Sequence, residues 1–426
     1  MFSPILTSLG SLAAFVQYSN AASAIPWAAP GEGPTTQTAN YTGFSNSTLN
    51  DQNVVPGASF SRFIQIWFEN TNFAVASSTP AFQKLAAQGV TFSRYMAVTH
   101  PSEPNYVASL SGSHWGMGDD NFYHIPRNIS TVIDLLEEKG ISWATYQENM
   151  PSTGYYGYNW ASVNYNDPTQ APYDYYQRKH NPPIIHDSVV FYPERSHRIR
   201  SFNDFANDIV NGTLPQWMFI TPNMVNDAHD TTIDFAGKFT DYWLNPLLED
   251  ERFNNEETLI LVTFDENETY DIQNQIFSVA VGGSIPDELK GTSDNTFYTH
   301  YSTLSTVQAN WDLRTLGRQD ANKTVSNVFS WVANEVGYQN QDIADEDIPQ
   351  FNLTKVHDGP LNSLRYTPFY APDVSMQGAS GCGVFVSPEL DLTFTADEVP
   401  PAVNLTAQGS QSPWILPQNT TTLPVY

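Results

Sequence analysis

The sequence predicts an α/β fold, with a mostly parallel central sheet and helices on both faces. Three observations lead there. Short apolar runs of strand length recur along the chain, amphipathic helix patterns with clear punctuation separate them, and polar residues able to do chemistry follow several of the runs directly.

Phe63, Ile64, Ile66, Trp67 and Phe68 make a nearly continuous apolar run, as expected for a strand buried on both faces. A helix follows: Thr79 can cap it, Pro80 suits its first turn, Phe82, Leu85 and Ala86 form its stripe, and Gly89 stops it. Residues 90–96 read as a strand. The cycle repeats with a helix over 131–139 ended by Gly140, a strand over 142–146 and a helix over 202–210 ended by Gly212. Further strands are expected over 216–220 and 258–264. After Trp331 the periodicity weakens and Pro, Asp and Asn accumulate.

These patterns divide the chain. Residues 1–24 carry an apolar stretch and then small residues, the pattern of a secretory signal peptide. Residues 25–60 form a polar lead-in rich in Pro, Gly, Ser, Thr and Asn. Residues 61–340 make the catalytic domain, and 341–426 a loop-rich extension packed on it. Sequons begin at Asn40, Asn46, Asn128, Asn211, Asn267, Asn322, Asn352, Asn404 and Asn419, which predicts N-linked glycans.

Composition narrows the chemistry. With 45 Asp and Glu against 18 Lys and Arg, the net charge is -27, so nucleic acid is not an expected partner. Such a surface repels itself less as pH falls, which leans towards work in acid. Cys382 is the single cysteine, so neither an intrachain disulfide nor a multi-thiolate metal site can form. No second long apolar segment suggests a membrane anchor.

In open α/β sheets, reactive groups gather beyond the carboxyl ends of the strands. The predicted strands here run into Glu69-Asn70, into Asp227-Ala228-His229-Asp230 and into Asp265-Glu266, and residues 90–96 lead to Ser102-Glu103-Pro104-Asn105. Glu69, Asn70, Asp265 and Glu266 offer hard oxygen donors, which suit a divalent cation such as Mg, Ca, Mn or Zn. A cation could activate the Ser102 hydroxyl even where a free histidine base would be protonated. His229 and His300, as imidazolium, could bind phosphate oxygens or protonate a leaving group, and Asn105 could donate to developing charge.

Each piece also has an ordinary reading. Glu69-Asn70 could be a polar turn, Ser102 a helix cap, and Asp227 and Asp230 solvent-facing acids. The sequon at Asn267 places that residue near the surface. His100, His114, His124, His180, His186, His197 and His357 show no metal-ligand spacing. The tyrosine-rich stretch 155–176 reads as a cleft wall or glycosylated face. A lipase elbow, a Walker loop and a dinucleotide-binding loop are absent.

Taken in order, Phe68-Glu69-Asn70-Thr71-Asn72-Phe73, Ser102-Glu103-Pro104-Asn105, Asp227-Ala228-His229, Phe264-Asp265-Glu266-Asn267 and His300-Tyr301-Ser302 resemble the phosphoesterase family. That family includes fungal secreted acid phosphatases and, more distantly, non-specific phospholipases C. The resemblance implies an alkaline-phosphatase-like three-layer sandwich. It implies a divalent metal on Glu69, Asn70, Asp265 and Glu266. Ser102 would be the nucleophile and become transiently phosphorylated, with Asn105, His229 and His300 around the phosphate. The implied activity is a secreted acid phosphatase acting on small phosphate monoesters, with a phospholipase C-type phosphodiesterase as the alternative. Asn267-Glu268-Thr269 stands where the phospholipase pattern has glycines, which counts against a phospholipid substrate. A carboxylate-pair glycosidase using Glu69 and Asp265, or a non-enzymatic wall glycoprotein, would be the remaining readings.

Overall fold

Eight strands form the central sheet: β1 (Arg62–Phe68), β2 (Val90–Phe92), β3 (Trp143–Gln147), β4 (Ile199–Ser201), β5 (Trp217–Thr221), β6 (Thr258–Phe264), β7 (Ser278–Val281) and β8 (Thr292–Asp294). The protein is seen in a computed structural model that describes residues 53–164 and 169–390. The expected signal peptide, most of the lead-in and the sequons at Asn40, Asn46, Asn404 and Asn419 lie outside these residues. The strand order is β8-β2-β7-β6-β1-β5-β3-β4. Every neighbouring pair is parallel except those made by β7, which runs against both β6 and β2. The expected α/β class and mostly parallel sheet are present.

The middle strand shows why both faces carry helices. Side chains alternate along β1. Trp67 packs on Tyr106 of the helix Ser102–Ser111 and on His300 of the helix His300–Trp311. Phe68, one residue on, packs instead on Phe82 of the helix Pro80–Gln88. Two helix layers therefore sandwich a strand whose residues from Phe63 to Phe68 are all buried.

Local chemistry fixes the helix ends. Thr131 and Ser201 each close a capping box, with Asp134 and Asp204 reaching back, and Gly140 and Gly212 end those helices in the left-handed conformation. Thr79 is different. Its side chain makes no cap bond and donates instead to the Val75 carbonyl of the preceding short helix.

Two expectations need correction. Residues 90–96 are not one strand: a turn at Ser93 and Arg94 ends β2, and Tyr95–Met96 pairs with Tyr298–Thr299 in a separate two-stranded sheet. The tyrosine-rich stretch is no cleft wall throughout, because Tyr155, Tyr156, Tyr175 and Tyr176 are buried.

The small sheet brings two helix starts side by side. Its two parallel strands each lead into a helix, one beginning at Ser102 and the other at His300, and the two helices pack together. After Val336 the described chain is mostly loop, and Phe369 and Tyr370 pack tilted rings against Trp115.

Candidate active site

Three adjacent parallel strands deliver acids to one edge of the sheet. Glu69 follows β1, Asp265 and Glu266 follow β6, and Asp227 lies in the loop after β5. Backbone bonds hold these ends in register: Asp265 N donates to Phe68 O at 3.0 Å and Glu69 N to Asp227 O at 2.8 Å. All four carboxylates are fully buried.

Ser102 comes to the same place from the small sheet. It starts its helix, where the orphan amides favour negative charge. Its hydroxyl donates to Glu69 Oε2 at 3.1 Å and lies 3.4 Å from Glu266 Oε1. One turn on, Tyr106 donates to Glu69 Oε1 at 2.6 Å, so one helix face grips both oxygens of that acid. Asn70 donates to Glu266 Oε1 at 3.1 Å, which joins the ends of β1 and β6.

The sequence-predicted set thus converges, with Glu69, Asn70, Ser102, Asp265 and Glu266 in one cluster, while two members, Asn105 and His300, make other contacts than expected. Asn105 spends its amide on the loop before Ser102. Oδ1 accepts from Val98 N and Thr99 N, and Nδ2 donates to Thr99 O and Pro101 O. Both N–H groups are thus engaged in shaping the loop. His300 stacks on Trp67 and places Nε2 2.6 Å from the Asp265 carbonyl; burial pushes it down to about 3, so it is neutral rather than imidazolium. Asn267 is not at the surface. It is buried, with its Nδ2 donating to Gln273 O.

His229 sits at the rim, half-buried, with Nδ1 2.8 Å from Asp230 Oδ1 and Nε2 3.1 Å from Lys179 Nζ. The lysine and the residue after it were not singled out by the sequence. His180 lies with Nε2 3.0 Å from Glu69 Oε1, without the alignment of a hydrogen bond, and Nδ1 3.6 Å from Asp227 Oδ2. Glu69, His180 and Asp227 offer ligand atoms within 4.8 Å of one another. His100, also passed over, places Nδ1 against Glu266 Oε2.

This cluster is short of positive charge. Burial first, then the neighbouring Glu69, raises Asp227 and Asp265 well above the usual carboxylate range. Glu266 is raised likewise by burial, then by Asp120 and Glu69. Both oxygens of Asp265, Asp227 Oδ2, Asn70 Oδ1 and His180 Nε2 are buried without a hydrogen-bond partner. Unpartnered oxygens on desolvated acids are what a divalent cation would satisfy, so the donor set fits one.

The profile of the phosphoesterase family matches residues 20–314. A protein of Aspergillus fumigatus named acid phosphatase is 46% identical over 316 residues, 74% of this chain and 68% of that one. A probable acid phosphatase of Kluyveromyces lactis is 51% identical over 289 residues, 68% of this chain and 66% of that one. The chain therefore spans about two thirds of the length of these two relatives. A phosphatidylinositol-3-phosphatase of Mycobacterium tuberculosis is 28% identical, over 56% of this chain and 72% of that one. Among solved structures, a protein of the alkaline phosphatase superfamily from Vibrio parahaemolyticus is similar with a TM-score of 0.39 and 11% identity, over 64% of this chain and 72% of that one.

Proposed function

Since this chain belongs to the phosphoesterase family, we propose that it is an acid phosphatase that hydrolyses phosphate monoesters, with Ser102 as nucleophile beside a divalent cation. The observation that carries the reading is the 3.1 Å contact from the Ser102 hydroxyl to Glu69 Oε2, at a helix start and among unpartnered acids. Glu69, Asn70, Asp265 and Glu266 would hold the cation, with Glu69 also facing His180 and Asp227. A cation bound there would neutralise charge on the phosphoryl oxygens and ease loss of the serine proton.

The remaining work falls to the chain. Glu69 orients the hydroxyl and accepts from it; Tyr106 keeps Glu69 in place. Ser102 Oγ attacks phosphorus, the ester P–O bond breaks, and the leaving oxygen takes a proton at the rim, where His229 stands. Water then attacks the phosphoserine, releasing inorganic phosphate and restoring the hydroxyl. Trapping of phosphate on Ser102 during turnover of p-nitrophenyl phosphate in acid tests the assignment. A wild type that turns over the ester with no label on Ser102 at any quench time would sink it.

The reading extends to a secreted glycoprotein. Residues 1–24 and the sequons support it, and Asn128, Asn211, Asn322 and Asn352 are at least partly exposed. Among the described residues no helix is long and apolar enough to cross a membrane. Mass analysis of culture-medium protein before and after glycan removal tests it.

A further inference from the structure

We propose that Lys179 is a substrate-binding residue, holding a non-bridging oxygen of the phosphate group at the rim of the Ser102 site; this rests on the phosphatase reading above. Lys179 occupies the middle of the 3-10 turn Arg178–His180. Both of its neighbours are anchored. The Arg178 guanidinium lies 4.2 Å over the Phe122 ring and 4.8 Å over the Tyr156 ring, and donates to Tyr123 O at 2.9 Å. His180 is fixed beside Glu69 and Asp227. The lysine between them is therefore placed by the fold and does not wander like a surface lysine.

Its ammonium has three donors. One goes to Asp120 Oδ2 at 3.2 Å and one to His229 Nε2 at 3.1 Å. The third is left for a ligand. On its other side His229 faces Asp230, with Nδ1 2.8 Å from Oδ1. Asp120 in turn accepts from the backbone N–H of Glu103, next to the nucleophile, so the lysine is tied to the start of the Ser102 helix.

The charge pattern says what the free donor would take. A phosphate group enters a cluster of buried acids and needs fixed positive charge to do so. The Lys179 charge bears on Glu103, Asp227, Asp265 and Glu266 alike. Its side chain is 12% exposed, in contrast to the buried acids, so the ammonium meets an incoming phosphate before Ser102 does.

The test compares wild type with Lys179→Met, Lys179→Arg and Lys179→Gln. The measurements are inorganic phosphate binding at equilibrium, KM and kcat for p-nitrophenyl phosphate, and metal content. Expected for Lys179→Met is a rise of at least tenfold in both phosphate Kd and KM, a kcat within about threefold, and unchanged metal content; Lys179→Arg should recover most of the affinity. Lys179→Gln, which keeps a donor without the charge, should weaken phosphate at least fivefold and serves if the methionine variant does not fold. Unchanged Kd and KM would overturn the proposal, as would metal lost in step with affinity. If the wild type binds phosphate but does not turn over the ester, the functional reading fails while the lysine is still tested by binding. A wild type that binds no phosphate overturns the lysine assignment itself.

Discussion

The Ser102 hydroxyl donates to Glu69 Oε2 across 3.1 Å, joining the start of a helix to the end of the central strand. The two residues are 33 positions apart in the chain, and the strands that lead to them belong to different sheets. Ser102→Ala removes the proposed attacking oxygen while keeping the helix start. Turnover of p-nitrophenyl phosphate should fall at least a thousandfold with little change in Tm. Retained turnover in the purified variant would refute the nucleophile.

The acids should not be equivalent towards metal. Both oxygens of Asp265 lack a partner, whereas Asp227 Oδ1 accepts from His229 N at 2.8 Å. Elemental analysis should find metal in Asp265→Asn reduced at least tenfold, and in Asp227→Asn largely kept. The reverse order would move the ion to the Glu69, His180 and Asp227 group.

Glu148 gives a pH dependence away from the metal donors. It follows β3 and accepts from Asn223 N and Asn226 Nδ2, holding the loop that presents Asp227. Burial pushes it up to about 7, although bonds from Asn226 and Asn223 oppose the shift. A folded pKa above the unfolded one means the unfolded chain loses its proton first. Glu148 therefore favours the fold in acid, and that contribution is lost as pH climbs from about 4.5 to 7, by roughly 3 kcal/mol at most. In thermal melts, Glu148→Gln should gain on wild type between pH 4.5 and 7.5. A constant gap between the two would contradict this.

Asn105 separates a structural role from a catalytic one. Asn105→Ala leaves the buried amides of Val98 and Thr99 without their acceptor, at about 1–3 kcal/mol each. Melting temperature and kcat should fall together. A variant of wild-type Tm with impaired turnover would return Asn105 to the phosphate.

The strands were legible because a strand covered on both faces must be apolar at nearly every position, and 258–264 was readable to the residue as Thr258–Phe264. Its acids were legible through their position alone, at the carboxyl ends of predicted strands. His180 and Lys179 were not, because they sit in a turn that shows no periodicity, and their nearness to Glu69 and His229 exists only once distant segments meet. The run 90–96 misled because the apolar pattern continues through Ser93 and Arg94, where the backbone turns and Ser93 N bonds to Asp294 O instead. Asn267 misled because the sequon is defined by local sequence, while in the fold the residue is buried and its Nδ2 donates to Gln273 O.

The position of Asn267 pits modification against folding. The Asn-Glu-Thr triplet matches the acceptor pattern, yet the amide nitrogen that would carry a sugar is closed off once the loop after Asp265-Glu266 folds in. A molecule sugared at that nitrogen could not seat its acids beside Ser102. Active molecules should therefore come only from chains in which this triplet escaped the transferase.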